Sequence, residues 1–180
     1  MSFTDADLIA RVLSREDHNA FGELVCRYQS PVRGFLARMA RRDSHLADDL
    51  AQETFLKAWR HLHSFSGNGK FSTWLFGIAF NEFRGAARRR KELAIEDAEN
   101  VTEQATAAVD LQLRMDLTEA LNTLNSNERA AVVLCCQNGL SHGEAAQVLN
   151  CPIGTVKSHV LRGREKLRKR LAVYEHYEPA

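Results

Sequence analysis

The sequence predicts an all-α protein made of two small helical domains joined by a flexible acidic linker. No segment alternates apolar and polar residues between turn signals, as β-strands would. Apolar residues instead recur every three or four positions over most of the 180 residues. Residues 92–110 hold six acidic side chains and no Lys or Arg, which is typical of a segment with little to bury.

Charge is distributed in blocks, although the formal net charge is only +1. A basic run at 88–91 precedes the acidic segment, and a basic helix lies near the C-terminus. Such blocks suit a protein that contacts a polyanion in two places. We therefore expect a first domain at 1–91, a linker at 92–110, a second domain at 111–174 and a tail at 175–180.

Composition also predicts where the protein works. No apolar run is long enough to cross a membrane, and the N-terminus lacks a signal-peptide pattern, so we expect a cytoplasmic protein. The four cysteines have no C-x-x-C spacing, and we expect them to be reduced and mostly structural.

The first domain begins with three predicted helical segments. Thr4 is placed to cap the first helix, with Asp7 at its third position. The second segment runs from about 19 to 29. Pro31 is expected to start or kink the third, at 32–39.

A fourth helix follows, and Ser44 is a plausible cap for it. Its apolar residues, including Phe55 and Trp59, recur at helical spacing and are expected to hold the helix to its own domain. Its opposite face is polar.

A glycine-containing stretch at 64–70 predicts a surface loop, with the aromatic Phe65 at its edge. A helix resumes at about 72. Trp74 and Ile78 are expected to face the core.

The second domain opens with a predicted amphipathic helix at 111–124. Asn125 and Glu128 are spaced to cap the next helix, which Gly139 ends. Ser141 and Glu144 then form a capping box for a short helix.

Pro152 suits the first position of the helix that follows. Five apolar residues recur in that helix and predict a buried stripe: Ile153, Val156, Val160, Leu161 and Leu167.

Between 157 and 170 there are seven basic residues and one acid. A short helix, a turn and a longer basic helix predict a helix-turn-helix, whose second helix can lie in the major groove of DNA. The alternative is a solvated basic face on an ordinary helical hairpin.

Three stretches of the chain resemble bacterial extracytoplasmic-function sigma factors, the small two-domain initiation subunits of RNA polymerase. They are DDLAQETFLKAWRHLHSF at 48–65, FSTWLFGIAFN at 71–81 and CPIGTVKSHVLRGREKLRKRL at 151–171. The resemblance covers nearly the whole chain, in the family's order. It implies a non-enzymatic protein without cofactors that binds core RNA polymerase, directs it to promoters and assists promoter melting. It also implies an anti-sigma factor as a partner.

The resemblance also implies roles for particular residues. Core polymerase would dock on an acidic and polar stripe of the fourth helix: Asp48, Asp49, Gln52 and Glu53. The first domain would contact the −10 promoter element, with an aromatic at a glycine-containing loop stacking on an extruded base: His61, Phe65, Lys70, Asn81, Arg88 and Arg89. The helix-turn-helix would read the −35 element: Thr155, Lys157, Ser158, His159, Leu161, Arg162 and Arg164.

Other functions fit the residues less well. A P-loop needs Gly at position 64 and Ser or Thr after Lys70, but the chain has Ser64 and Phe71 there. The histidines and cysteines repeat no metal-ligand spacing, so no metal site is expected. The remaining alternative is a helix-turn-helix regulator that binds DNA without joining core polymerase.

Overall fold

The computed structural model of the chain describes residues 3–41, 43–93 and 117–172. Within these ranges every regular element is helical, which confirms the predicted all-α class. Most of the predicted linker at 92–110, the start of the predicted helix at 111–124 and the tail at 175–180 lie outside the described residues. Across the described ranges, no helix combines the length and the apolar character needed to span a bilayer.

Within each part of the chain that the structure describes, the helices follow one another with short connections. Their bounds are α1 (Asp5–Arg15), α2 (His18–Met39), α3 (Ser44–His61), α4 (Phe71–Leu93), α5 (117–122), α6 (Ser126–Val132), α7 (His142–Leu149) and α8 (Ile153–Leu171). A 3-10 turn at Leu62–Ser64 follows α3, and a π-helical turn at Val133–Gln137 continues α6.

Side-chain caps begin most of these helices. The predicted pair at α1 is confirmed, because the Thr4 hydroxyl accepts the Asp7 N–H at 3.2 Å and the Asp7 carboxylate accepts the Thr4 N–H at 2.9 Å. The prediction for α3 was wrong by one residue. Asp43 caps it by accepting the Leu46 N–H at 3.0 Å, and its charge suits the positive end of a helix better than the Ser44 hydroxyl would.

Helix α2 continues through Pro31, so the predicted separate segment at 32–39 is wrong. Leu24 lies before the proline and Phe35 after it, and both are buried on the face that packs on α3 and α4. Pro31 itself is exposed. A proline inside a helix costs about 3 kcal/mol, and the burial of large apolar side chains on both sides, at about 1.5–3 kcal/mol each, offsets that cost.

The first domain packs α1 on α2 and sets α2, α3 and α4 against one another. Phe35, Phe76 and Phe80 lie at the centre, and the rings of Phe35 and Phe76 meet edge to face at 5.5 Å. Four other apolar side chains that were predicted to be inside are only half-buried, because they line surface cavities: Phe55, Trp59, Trp74 and Ile78.

Two capping boxes organise the second domain, and both were predicted. Asn125 and Glu128 cap α6, and Ser141 and Glu144 cap α7. Gly139 follows the π-helical turn with φ +69°, a left-handed conformation that favours glycine.

The helix-turn-helix consists of α7 and α8. Pro152 is the N-cap of α8 rather than its first residue, because its extended ψ of 145° leaves its carbonyl to accept the Thr155 and Val156 N–H groups. Val156 and Val160 are buried as predicted, whereas Ile153 is 49% exposed and Leu161 is 70% exposed. Leu161 follows Val160 by about 100° around the helix, so it lies beside the buried stripe rather than on it.

The two domains lie against each other. Helix α7 packs on α4, and α6 and its π-helical turn pack on α2. The buried side chain of Arg129, which is 1% exposed, bonds to both domains. Its guanidinium donates to the carbonyl oxygens of Leu121 (2.9 Å) and Leu124 (3.0 Å) in its own domain, and to that of Met39 (3.3 Å) at the end of α2. Burial, and then the nearby charge of Arg41, lower the pKa of Arg129 to about 10, so the group stays protonated at neutral pH.

Replacing Arg129 by Met should destabilise the protein strongly. The change removes the guanidinium from three buried carbonyl oxygens. The Leu121 carbonyl still accepts the Leu124 N–H at 3.1 Å, but the carbonyls of Leu124 and Met39 lose the donor that bonds to them, and an orphaned buried acceptor costs about 1–3 kcal/mol. We expect Arg129→Met to lower the free energy of unfolding by at least about 2 kcal/mol, measured by urea denaturation with circular dichroism. The control is the exposed Arg164→Met, expected to change it by less than about 0.5 kcal/mol. Equal stability of the two variants would contradict the structural role of Arg129.

Candidate nucleic-acid interface

A cavity of about 460 Å³ lies between the loop after α3 and the first three turns of α4, and we call it the loop pocket. Phe65 forms one wall and packs against Phe71, with ring centroids 5.7 Å apart and planes at 84°. Trp74 completes the aromatic cluster, 5.6 Å from Phe65. The pocket is lined by Ser64, Phe65, Ser66, Asn68, Gly69, Lys70, Thr73, Trp74, Gly77, Ile78, Asn81 and Gln147.

The loop pocket brings together only part of the predicted −10 set. Phe65, Lys70 and Asn81 all line it. His61 does not line the pocket. It is the last residue of α3, and its ring lies 6.2 Å from that of His63. The last two members, Arg88 and Arg89, lie on the exposed C-terminal part of α4, where Arg88 approaches Glu92 at 3.7 Å.

Several lining residues were missed by sequence reasoning. Trp74 was expected inside the core because it fits the apolar spacing of α4. Its position three residues after Phe71, beside a loop aromatic, was the available signal for an aromatic cluster. Thr73 also lines the pocket, and its hydroxyl is buried without a hydrogen-bond partner. Gln147 comes from the other domain, and no local pattern could have placed it there.

A charged contact lies at the edge of the loop pocket. The Lys70 ammonium is 2.9 Å from the Glu144 carboxylate on α7. The hydrogen bond from Lys70, followed by those from the Ser141 N–H and hydroxyl, lowers the pKa of Glu144 to about 2. Because the pKa of Glu144 in the folded protein lies below its unfolded value of 4.5, the ionised carboxylate stabilises the folded state at every pH above 4.5. This stabilisation is lost as the pH falls from 4.5 toward 2.

A second, larger cavity of about 760 Å³ lies between α2 and α3, and we call it the α3 groove. Its floor is apolar, with Leu56 47% exposed and the Trp59 ring stacked 4.8 Å from that of His18. Exposed apolar grooves with polar rims are typical of protein-interaction sites. Two of the predicted docking residues, Asp48 and Gln52, line this groove.

The other two docking candidates, Asp49 and Glu53, are exposed on α3. Asp48 differs from them, because its carboxylate already accepts a forked hydrogen bond from the Arg33 guanidinium, with one branch at 2.8 Å. The acidic stripe therefore consists of two unpaired exposed carboxylates and one that is paired within the domain.

The outward face of α8 carries the predicted −35 residues. Lys157, Leu161 and Arg164 are exposed, whereas Thr155 and His159 are half-buried. The hydroxyl of the exposed Ser158 donates to the Gly154 carbonyl at 3.0 Å, which leaves its oxygen free to accept.

Arg162 is held by contacts within its own domain. Its guanidinium lies 3.3 Å from His159 Nδ1 and 3.6 Å from the carboxylate of Glu128, which is almost fully buried. Glu128 also accepts from Lys166 at 2.7 Å. Burial acts to raise the pKa of Glu128, but the bonds from Lys166 and the Asn125 N–H lower it overall. The buried carboxylate thus anchors two cations at the edge of the outward face of α8.

The histidines and cysteines do not assemble into a metal site within the described ranges. All four cysteines are free, and Cys26 and Cys136 are exposed rather than structural.

Close packing at one glycine fixes the position of α8 on α6. A Cβ atom added at Gly163 would lie 2.5 Å from Val132 Cγ2, which is too close for any real contact. The recognition helix can therefore approach α6 only because residue 163 has no side chain.

Gly163→Ala should therefore destabilise the second domain. Overpacking a core costs about 1–3 kcal/mol, which exceeds the gain of about 1 kcal/mol in helix propensity. Gly154→Ala in the same helix is the control, because its Cβ would meet nothing within 4 Å. In a protein that already carries Val132→Ala, Gly163→Ala should lower the stability much less than it does in the wild type, because the clashing methyl group is absent. Thermal unfolding measures both changes. If the two alanine variants melted alike, the close approach would not determine the helix position.

These surfaces define a helical DNA-binding protein built around a helix-turn-helix. Residues 24–92 match the family model of Sigma-70 region 2, and residues 114–167 match that of Sigma-70, region 4. The chain belongs to the extracytoplasmic-function sigma factors, and it is thus a transcription initiation factor.

Curated relatives match over nearly their whole length. The chain is 33% identical to the ECF RNA polymerase sigma-E factor of Haemophilus influenzae, over 93% of this chain and 95% of that protein. It is 34% identical to the RNA polymerase sigma-H factor of Pseudomonas aeruginosa, over 93% of each. It is 35% identical to the ECF sigma factor SigW of Bacillus subtilis, over 88% of this chain and 92% of that protein.

Two solved structures share the fold across both domains. One is the sigma factor RpoE in complex with the anti-sigma factor NepR from Bartonella quintana, with a TM-score of 0.73 and 32% identity over 85% of this chain and 97% of that chain. The other is CnrH in complex with the cytosolic domain of CnrY, with a TM-score of 0.72 and 27% identity over 94% of this chain and 97% of that chain.

Proposed function

We propose that this sigma factor binds core RNA polymerase through residues 1–91, and that the same domain captures the −10 element while residues 111–174 read the −35 element. The observation that carries the proposal is the loop pocket, where Phe65, Lys70 and Asn81 meet. A regulator that only bound duplex DNA would need the helix-turn-helix but not this pocket. The chain performs no chemistry of its own in this scheme, and it works in the cytoplasm with the polymerase.

Capture of an extruded base would make unpaired promoter DNA less costly. Unstacking and unpairing one base costs a few kcal/mol, and stacking on an aromatic side chain returns about 1–3 kcal/mol. Phe65 and Trp74 supply that platform, and the amide of Asn81 can donate to or accept from the base edge. Lys70 and the exposed Arg88 and Arg89 would hold the adjoining phosphates, with a salt-dependent contribution.

Docking on polymerase would use the α3 groove and the acidic residues beside it. The groove has an apolar surface formed by Phe55, Leu56 and Trp59. Buried apolar and aromatic contacts of this kind supply most of the affinity of a protein interface. Asp49 and Glu53 would meet a basic surface of the polymerase and steer the encounter.

The α8 face would read duplex DNA in the major groove. Lys157 and Arg164 are exposed cations, and Leu161 offers an apolar contact for a thymine methyl group. Arg162 would have to leave Glu128 to reach a base edge, or else contact phosphate from its present position.

We also propose an anti-sigma factor as a partner of this chain. One structural relative, RpoE from Bartonella quintana, is described as a complex of a sigma factor with the anti-sigma factor NepR. The exposed apolar floor of the α3 groove is a suitable surface for it, because a protein seated there would compete with polymerase.

Phe65→Ala should impair strand opening without weakening polymerase binding. Loss of the stacking surface should lower open-complex formation about five- to a hundredfold, which corresponds to about 1–3 kcal/mol. Permanganate footprinting and run-off transcription of the holoenzyme on duplex and pre-melted promoters measure this step, and the pre-melted template should restore most of the loss.

Phe65→Tyr is the control, since it keeps an aromatic ring at the same position. Full opening of duplex DNA by Phe65→Ala would assign base capture to another residue. A failure of Phe65→Ala to bind core polymerase at all would show instead that Phe65 only supports the fold of the domain.

Reversing the charge of Asp49 and Glu53 to Lys should weaken core polymerase binding while the domain stays folded. Both carboxylates are exposed, so their replacement removes no packing. Pull-down with core polymerase and circular dichroism separate binding from folding. Glu165→Lys, at an exposed acid of α8 in the other domain, should bind normally. A folded double variant that bound core at full strength would refute docking through this stripe.

A further inference from the structure

A third cavity, of about 630 Å³, is lined by residues of both domains, and we call it the arginine cavity. Its walls are the end of α2, the start of α3, the second half of α4 and the start of α6. Among the described residues that line it, positive charge exceeds negative charge by two: Arg41, Arg90 and Arg129 against Asp43. None of the four belongs to the polymerase-docking, −10 or −35 sets.

Arg129 is a buried cation without a counterion among the described residues. Its side chain is 1% exposed, and its three hydrogen bonds go to neutral backbone carbonyls. A buried charge is normally paired with an opposite charge, because leaving water is costly for an ion. The guanidinium has five N–H donors, and those three bonds leave one N–H on each terminal nitrogen. The wall of the cavity therefore holds positive charge that an anion could neutralise.

The other two arginines reach the cavity from its solvent side. Arg41 is exposed in the turn after α2, and its charge adds to burial in lowering the pKa of Arg129, so these two cations lie close enough to repel each other. Arg90 is 68% exposed and lies 3.4 Å from the Asp43 carboxylate. That carboxylate also caps α3 by accepting the Leu46 N–H at 3.0 Å. Asp43 thus neutralises at most one of the three cations.

The remaining lining suits a phosphorylated small molecule. Guanidinium groups match phosphate oxygens with paired, charge-assisted hydrogen bonds, and a diphosphate group has enough oxygens for three of them. Another part of the wall is apolar, formed by Leu46, Phe83, Ala86 and Ala87. The cavity volume also lies within the range of about 300–1,000 Å³ that is usual for small-molecule sites.

We propose that the arginine cavity binds a small molecule that carries a diphosphate group. The guanidinium groups of Arg41 and Arg90 bond to the phosphate oxygens, and the buried Arg129 supplies a fixed positive charge behind them. The apolar wall covers the rest of the ligand. Because Arg41 belongs to the first domain and Arg129 to the second, the bound ligand contacts both domains and stabilises the folded protein.

Isothermal titration calorimetry of the full-length protein with inorganic pyrophosphate tests the site, at an ionic strength kept constant with sodium chloride. We expect saturable binding of one pyrophosphate per chain. Arg41→Gln and Arg90→Gln each remove charge-assisted hydrogen bonds to the ligand, so each should weaken binding about tenfold or more. Both side chains are exposed, so we expect both variants to fold, which circular dichroism checks.

Arg60→Gln is the matched control, because it makes the same charge change at an exposed arginine at the opposite end of α3 from Asp43. This variant should bind pyrophosphate as tightly as the wild type. Absence of saturable binding to the wild type would overturn the proposal, and so would equal weakening in all three variants.

Nuclear magnetic resonance of the isotope-labelled full-length protein locates the bound anion. We expect pyrophosphate to shift the amide signals of Arg41, Arg90 and Ser126, which line the arginine cavity. The comparison is with Lys70 and Lys157, exposed cations on the other candidate surfaces. Shifts at these lysines without shifts at the three lining residues would show a general attraction of anions to basic surfaces and would overturn the proposal.

The same phosphate chemistry is present in the DNA backbone, and fluorescence anisotropy with a labelled twelve-nucleotide single strand and a twelve-base-pair duplex separates the two sources. We expect Arg41→Gln and Arg90→Gln to lower DNA affinity no more than Arg60→Gln does. A larger loss of DNA affinity in the two cavity variants would assign these arginines to the DNA backbone and overturn the small-molecule site.

Discussion

The buried guanidinium of Arg129 is the interaction on which the arrangement of the second domain, and its place on the first, depends. No carboxylate bonds to it among the described residues, and three carbonyl oxygens satisfy it instead. These carbonyls lie near the C-terminal ends of α5 and α2, where helix dipoles concentrate negative charge. One cation therefore joins the ends of two helices from different domains, and it is the hydrogen-bond donor to the buried carbonyls of Leu124 and Met39.

The adjoining residue, Glu128, contacts helix α8 of its own domain rather than the first domain. Its side chain caps α6 and faces α8, where it anchors Lys166 and lies near Arg162. Together with the missing side chain at Gly163, this carboxylate fixes the recognition helix on its scaffold before any DNA is present. If α8 reads DNA as proposed, this preorganised face loses less conformational entropy on binding than one built from free side chains.

Local patterns in the sequence predicted local structure well. The capping box of Ser141 and Glu144 lies where the residue types and spacing place it, because both partners are within one helical turn. The loop before α4 was also predicted locally, from its glycines, whereas the role of Phe65 came from the family resemblance and stays a prediction. Periodicity was less reliable for Trp74 and Ile153, since it counts apolar residues but does not reveal whether another element covers them. The burial of Arg129 and the pairing of Lys70 with Glu144 depend on contacts distant in sequence, and no local pattern encodes them.

The placement of the two tryptophans of the chain has a spectroscopic consequence. Trp59 lies in the α3 groove with its indole stacked on the His18 ring, and Trp74 lies in the loop pocket beside Phe65. Each of two candidate binding surfaces thus carries one native fluorophore. Emission from an indole responds to stacking and to a change in the polarity around it, so replacing either tryptophan by Phe would leave a single-site reporter. The protein can therefore report separately on events in the groove and in the pocket without any attached dye.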